Sequence, residues 1–179
     1  MMPVPDLTPP PEFHRPLIIG RIGVGHAETL VATDAECASL ARRMGLPAIT
    51  ALRCDYTLRP TGKAGFTAAG RMVARVMQTC VITLEDFAAD IDESFRVVFV
   101  PAERLAPTAD MDAVDDPESE DEIPYHGTVI DLGEATAEQL ALVLDPYPRA
   151  PGALHSGTEA SDDGPPHPFA GLGKLQSGD

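Results

Sequence analysis

The spacing of apolar and polar positions changes along the chain, and each change marks an element. From Ala48 onward, Ala48, Thr50, Leu52, Cys54, Tyr56 and Leu58 alternate with Ile49, Ala51, Arg53, Asp55, Thr57 and Arg59. A period of two predicts a half-buried strand. Pro60-Thr61-Gly62-Lys63-Ala64-Gly65 has turn composition. A second strand is predicted over about Phe66–Cys80, with Phe66, Ala68, Met72, Ala74 and Val76 inward and Arg71, Val73, Arg75 and Met77 outward. After a corner near Thr83–Asp86, a third strand over about Phe87–Val100 alternates Phe87, Ala89, Ile91, Phe95, Val97 and Phe99 against Asp90, Asp92 and Arg96. Together these predict an antiparallel meander with one wet face.

Parity also suggests a register, with Leu58 opposite Phe66 and Cys80 opposite Phe87. That register sets Arg75 against Asp92, a favourable pair. It also sets Arg53 against Arg71 and Arg71 beside Arg96, a like-charge cost that a neutralising ligand would relieve.

Helical signals flank the meander. Thr33 followed by Glu36 reads as a capping box, Arg42 and Arg43 suit a last turn, and Gly45 suits a C-cap, predicting a helix over Asp34–Met44. Short strands are expected over Phe13–Ile22, at Thr29–Val31 and at Val129–Asp131. Asp131 then caps a helix that begins near Gly133, carries Leu132, Thr136, Leu140, Val143 and Leu144 at helical spacing, and stops by Asp145 before Pro146 and Pro148. Ala106–Glu122 holds eight acids, two prolines and no base, too little apolar surface to order itself.

The expected fold class is α+β: an antiparallel β-meander sheet with two flanking helices, a disordered acidic loop and disordered termini. The divisions are a disordered 1–12, a β-rich core with one helix over 13–104, the acidic loop over 105–126, a strand and helix completing the core over 127–150, and a disordered tail over 151–179. Within that tail, Pro168-Phe169-Ala170-Gly171-Leu172-Gly173-Lys174-Leu175 is an apolar island.

Charge sharpens this division. The net charge is −15, yet residues 1–104 carry 12 acids and 11 bases, while 105–179 carry 16 acids and only Arg149 and Lys174 as bases. An acidic chain repels phosphate backbones on average, but a local basic face or a basic protein partner stays open. The three cysteines are not closely spaced, which fits a reducing cytosol rather than a disulfide framework. No stretch is apolar enough for a membrane span, and Met1–Pro11 lacks the apolar core of a signal peptide. The chain is therefore expected to be cytoplasmic, without membrane attachment, and monomeric.

Catalytic signals are weak. Gly20, Gly23 and Gly25 do not follow a dinucleotide-binding order and are read as shaping a turn. The five histidines lack metal-ligand spacing, so no metal or cofactor is expected. Cys80 has no activating base near it in sequence and reads as a buried small apolar residue. A pocket holding His126, Asp131 and Cys80 together would reverse the expectation that the chain is no enzyme. Arg53, Arg59, Arg71, Arg75 and Arg96, with Lys63 at the hairpin tip, form either an ordinary solvated face or a patch facing RNA or protein. No exposed aromatic platform accompanies them, which argues against single-strand stacking.

Three segments together resemble the YceD family of large ribosomal RNA subunit accumulation proteins: Arg71–Phe87 (RMVARVMQTCVITLEDF), Ile130–Arg149 (IDLGEATAEQLALVLDPYPR) and Pro165–Leu175 (PPHPFAGLGKL). The order of these segments and the acidic stretch between the first two also fit. Many members carry C-x-x-C at the corner; here Cys80 holds the first place and Thr83 the second, so the chain is similar to the branch lacking the pair. The resemblance implies a non-catalytic ribosome-biogenesis factor supporting 23S rRNA accumulation or processing, with an rRNA precursor or a large-subunit ribosomal protein as partner. Asp131, Leu132, Asp145, Tyr147, Arg149, Pro168, Phe169 and Leu172 are then candidates for a docking motif. The alternative is an acidic module that chaperones a basic ribosomal protein through the acidic loop.

Overall fold

A computed structural model of the chain describes residues 11–62, 64–104 and 121–153. Most of the expected disordered N-terminus, the acidic loop up to residue 120, Lys63 and the tail from residue 154 lie outside the described residues.

The fold is α+β. Strands β1 (Pro16–Ile18), β2 (His26–Val31), β3 (Ala48–Thr61), β4 (Gly65–Thr79), β5 (Asp86–Pro101), β6 (Asp121–Tyr125) and β7 (Val129–Asp131) are joined by helices α1 (Asp34–Met44) and α2 (Leu132–Val143). A five-stranded sheet runs in the order β2-β3-β4-β5-β6, and β1 pairs with β7 in a separate ribbon. The inner face of the large sheet carries Leu52, Tyr56, Leu58, Met72, Val76, Val97 and Phe99, which share one apolar core with Leu40 of α1 and Leu132 and Leu140 of α2. Gly70 lets the Phe95 ring lie across β4: a Cβ there would fall 2.4 Å from the ring. The ring meets Tyr56 edge-on, with centroids 5.7 Å apart. Among the described residues, no helix is long and apolar enough to cross a membrane.

The alternation on the strands stands, but both registers differ from expectation by two residues. Leu58 faces Ala68 and Pro60 faces Phe66, because the strands zip to Thr61 and Gly65 and leave a tight turn with Ala64 at φ 61°. At the next corner Thr79 faces Asp86, and Cys80 N–H donates to Glu85 O at 2.8 Å across a turn that puts Leu84 at φ 60°. A two-residue slip keeps every side chain on its face while changing every cross-strand neighbour. The parity of Ala48–Thr50 also needs correction. A bulge between Ile49 and Ala51 leaves Thr50 exposed, its hydroxyl donating to Arg75 O at 3.2 Å, and turns Ile49 into the core.

Two short elements depart from expectation. Only Pro16–Ile18 of the apolar Phe13–Ile22 run is strand; a 3₁₀ turn follows over Ile19–Arg21. Asp121–Tyr125, expected within the loop to residue 126, instead pairs with β5 in parallel, Val97 facing Asp121 and Pro101 facing Tyr125. Pro124 is tolerated there because β6 is an edge strand. Tyr125 is buried, and its hydroxyl donates to Ala64 O at 2.7 Å. Gly25, at φ 75°, closes the turn into β2, in keeping with the turn-shaping role read for the glycines around it.

Helix α1 forms as its caps dictate. The Thr33 hydroxyl accepts from Glu36 N–H, and Glu36 accepts in return from Thr33 N–H at 2.8 Å. Gly45 closes the helix in the left-handed region at φ 67°. Glu36 also receives both terminal nitrogens of Arg15, at 2.6 and 2.9 Å. The Arg15 guanidinium, helped by the Thr33 donors and opposed by partial burial, holds the Glu36 carboxyl down at about 2. A carboxyl with a depressed folded pKa contributes stability above its unfolded pKa and loses it as pH falls through the folded value. Glu36→Gln is therefore expected to cost roughly 1–2 kcal/mol near neutral pH, discounted for solvent screening. That gap should close between the ordinary glutamate value of 4.5 and about 2. Urea midpoints of both proteins across that range check it; a constant gap would exclude the titration of Glu36.

Candidate functional site

The outer face of the sheet gathers the arginines that the sequence singled out. Arg53 and Arg59 on β3, Arg71 and Arg75 on β4 and Arg96 on β5 are all exposed on that face. The corrected register removes the like-charge clash. Asp55 faces Arg71, Val73 faces Arg53 and Ala69 faces Arg96, while Arg75 faces Asp90 rather than Asp92. Arg71 binds Asp92 diagonally with two bonds, at 2.9 and 2.7 Å. Arg53 binds Asp55 along its own strand at 2.9 and 2.8 Å. Arg75 approaches Asp90 at 3.3 Å. The face is a mixed-charge surface of arginines and aspartates, not a bare basic patch. The interleaved acids were visible as letters in the sequence, but their pairing depends on the register.

The candidate docking residues divide between the two ends of α2. At its start, Asp131 Oδ1 accepts from Gly133 N–H at 3.0 Å, Glu134 N–H at 3.2 Å and Arg15 N–H at 2.8 Å, and its Oδ2 meets His14 Nδ1 at 2.5 Å. Leu132 is buried in the core. Glu134 takes two bonds from Arg43, at 2.9 and 2.6 Å, tying α2 to the end of α1, and this partner raises the Arg43 pKa. At the other end, Asp145, Tyr147 and Arg149 are exposed. Asp145 accepts from Tyr147 N–H at 2.8 Å, Asp145 O accepts from the Gln78 side chain at 3.3 Å, and Pro148 O accepts from Val81 N–H at 2.9 Å. The helix between the two ends is 12 residues, about 18 Å long. Pro168, Phe169 and Leu172 lie outside the described residues, as does Lys63.

Sequence reasoning missed what the second end builds. The close of α1, the end of β4, and the last turns of α2 with the segment after it form a groove of about 890 Å³, lined by Leu46, Val81, Leu142, Leu144 and Pro146 among others. Leu142 is 70% exposed, and beside the groove Tyr147 is 72% exposed. Its walls come from three separated stretches, so no single spacing announces it.

The corner beside the groove holds Cys80, which has no exposed surface. Thr83 N–H points at its sulfur from 3.5 Å. The Thr83 hydroxyl, with backbone N–H donors of Ala150, Thr83 and Ile82, draws the thiol pKa down to about 7. Cys80 thus sits at the far end of α2 from Asp131. Among the described residues, no group of three or more His, Cys, Asp or Glu could hold a metal ion.

A one-faced meander, an ion-paired outer surface and an apolar groove at the end of α2 define an α+β protein. A protein-family model described as large ribosomal RNA subunit accumulation protein YceD matches residues 68–176, from β4 through α2 into the tail, and the chain belongs to that family. No curated protein and no solved structure matches it.

Proposed function

We propose that the protein supports the accumulation and processing of 23S rRNA during assembly of the large ribosomal subunit, in the cytoplasm, by binding and not by catalysis. The family match across residues 68–176 carries this reading, because it takes in β4, β5, the acidic segment, α2 and the tail together. The positions of the residues best suited to chemistry support a binding role, since Cys80 and Asp131 stand at opposite ends of α2 and form no common site. In this reading the outer sheet face meets an rRNA precursor, with the arginines changing their aspartate partners for phosphates. The direct test is the ratio of 23S to 16S rRNA, with precursor ends mapped, in cells depleted of the protein. A selective fall in 23S is expected; an unchanged ratio would overturn the assignment.

The sheet face has its own test. The Arg71→Glu/Arg75→Glu variant removes two solvent-screened ion pairs and is expected to fold. It should bind ribosomal precursors more weakly and with a salt slope lowered by up to about two phosphate contacts. Unchanged binding with an unchanged slope removes the face from the proposal.

The charge of the segment between β5 and β6 favours a second reading, a module that chaperones a basic ribosomal protein. Deleting residues 110–120 spares β6 and separates the two. Loss of basic-protein binding with RNA association intact supports the chaperone.

A further inference from the structure

The groove at the end of α2 is lined by Leu46, Val81, Leu142 and Leu144, has the exposed Tyr147 beside it, and carries two acids, Glu138 and Asp145, on its wall. Arg43, the base that lines it, is already held by Glu134 and Glu12. The groove therefore suits an apolar segment that carries a positive charge. We propose that its occupant is this chain's own Pro168–Leu175, with Phe169, Leu172 and Leu175 against its apolar lining and Lys174 beside Glu138 and Asp145.

Three observations select this occupant. First, those eight residues hold three large apolar side chains and one base, and Lys174 is the only base after Arg149. Second, Glu138 is solvent-exposed on the groove wall and, among the described residues, no arginine or lysine forms a salt bridge with it, Arg43 being held by Glu134 and Glu12. A lysine delivered there would meet a carboxylate in need of one. Third, the reach is short. The described chain ends at Ala153, five residues after Pro148 on the groove wall, with a turn closed by Ala153 N–H donating to Ala150 O at 3.0 Å. Residues 154–167 then separate Ala153 from Pro168, and a 14-residue coil spans roughly 20 Å. A tether of that length sets an effective concentration on the order of millimolar. This inference does not depend on the ribosomal reading, and its test uses the purified full chain alone.

The chain contains no tryptophan, so Phe169→Trp provides a single reporter. Its emission is expected to be blue-shifted and its iodide quenching several-fold below that of a free tryptophan peptide, at every protein concentration. Adding Leu142→Glu, at an exposed position whose change should leave the fold intact, is expected to abolish both effects while circular dichroism stays unchanged. Solvent-like emission in the reporter protein overturns the proposal. So does a blue shift that survives Leu142→Glu, which places the segment elsewhere, or one that grows with concentration, which makes the occupant a second copy.

Discussion

Gly133→Ala is expected to destabilise the protein by about 3 kcal/mol or more, the reverse of what helix propensity alone predicts. Within an ordinary helix, replacing glycine by alanine stabilises by about 0.5–1 kcal/mol. Here a Cβ would lie 2.0 Å from Phe13 O, 2.8 Å from Phe13 C and 3.0 Å from Arg15 N. All three are backbone atoms, so no side chain can rotate away. Either the first turn of α2 or the Phe13–Arg15 segment must move. That segment anchors Phe13, which is fully buried, and accepts from Leu132 N–H through Arg15 O at 3.1 Å. Displacing it exposes a phenylalanine, worth about 1.5–3 kcal/mol, and loses hydrogen bonds worth about 1 kcal/mol each. Denaturant midpoints decide the matter by sign. A neutral or stabilising effect would mean that the N-terminal segment does not pack on α2 as described.

That contact also shows why part of the molecule was legible and part was not. Helix α1 could be placed to the residue because its capping box, terminal charges and C-cap glycine are local chemistry, written within a dozen positions. The faces of β3, β4 and β5 were legible because parity is local too. Register is not. It depends on how far a hairpin zips, and Ala64 and Leu84 accept positive φ values that their side chains do not advertise. Strand β6 hid in the acidic run, because Asp121, Glu122 and Pro124 read as loop while the inward pair, Ile123 and Tyr125, is too short to establish alternation. The groove was illegible for a related reason: its lining meets only when α1, β4, α2 and the segment after it converge.

The residues behind the family resemblance fall into two groups with different work. Asp131-Leu132-Gly133-Glu134 is internal architecture: a cap, a core side chain, a close approach and an ion pair to α1. Leu144-Asp145-Pro146-Tyr147-Pro148-Arg149 is fastened to the β4–β5 corner and presents Tyr147 and Arg149 to solvent. The second group stands exposed at the far end of α2, while the first is built into the contacts between α2, α1 and the N-terminal segment.

Asp131 tests that division. Asp131→Ala removes the acceptor for three backbone N–H groups, those of Arg15, Gly133 and Glu134. Loss of an N-cap costs about 0.5–2 kcal/mol, and leaving the part-buried Arg15 donor unsatisfied costs about 1–3 kcal/mol more, so a total of about 1.5–5 kcal/mol is expected. Asp131→Asn keeps an oxygen in place of Oδ1 and forfeits the negative charge at the helix N-terminus and the acceptor for His14. Its cost should be about 1 kcal/mol. The ordering, alanine well below asparagine, identifies the cap and the clamp on Arg15 as the role of this side chain. On the proposed role, the 23S to 16S ratio of the two variants in cells follows their stabilities, and growth at lower temperature restores it in Asp131→Ala. An alanine variant as stable as the parent that still loses 23S rRNA would make Asp131 a direct contact, and the architectural account of the first group would fall with it.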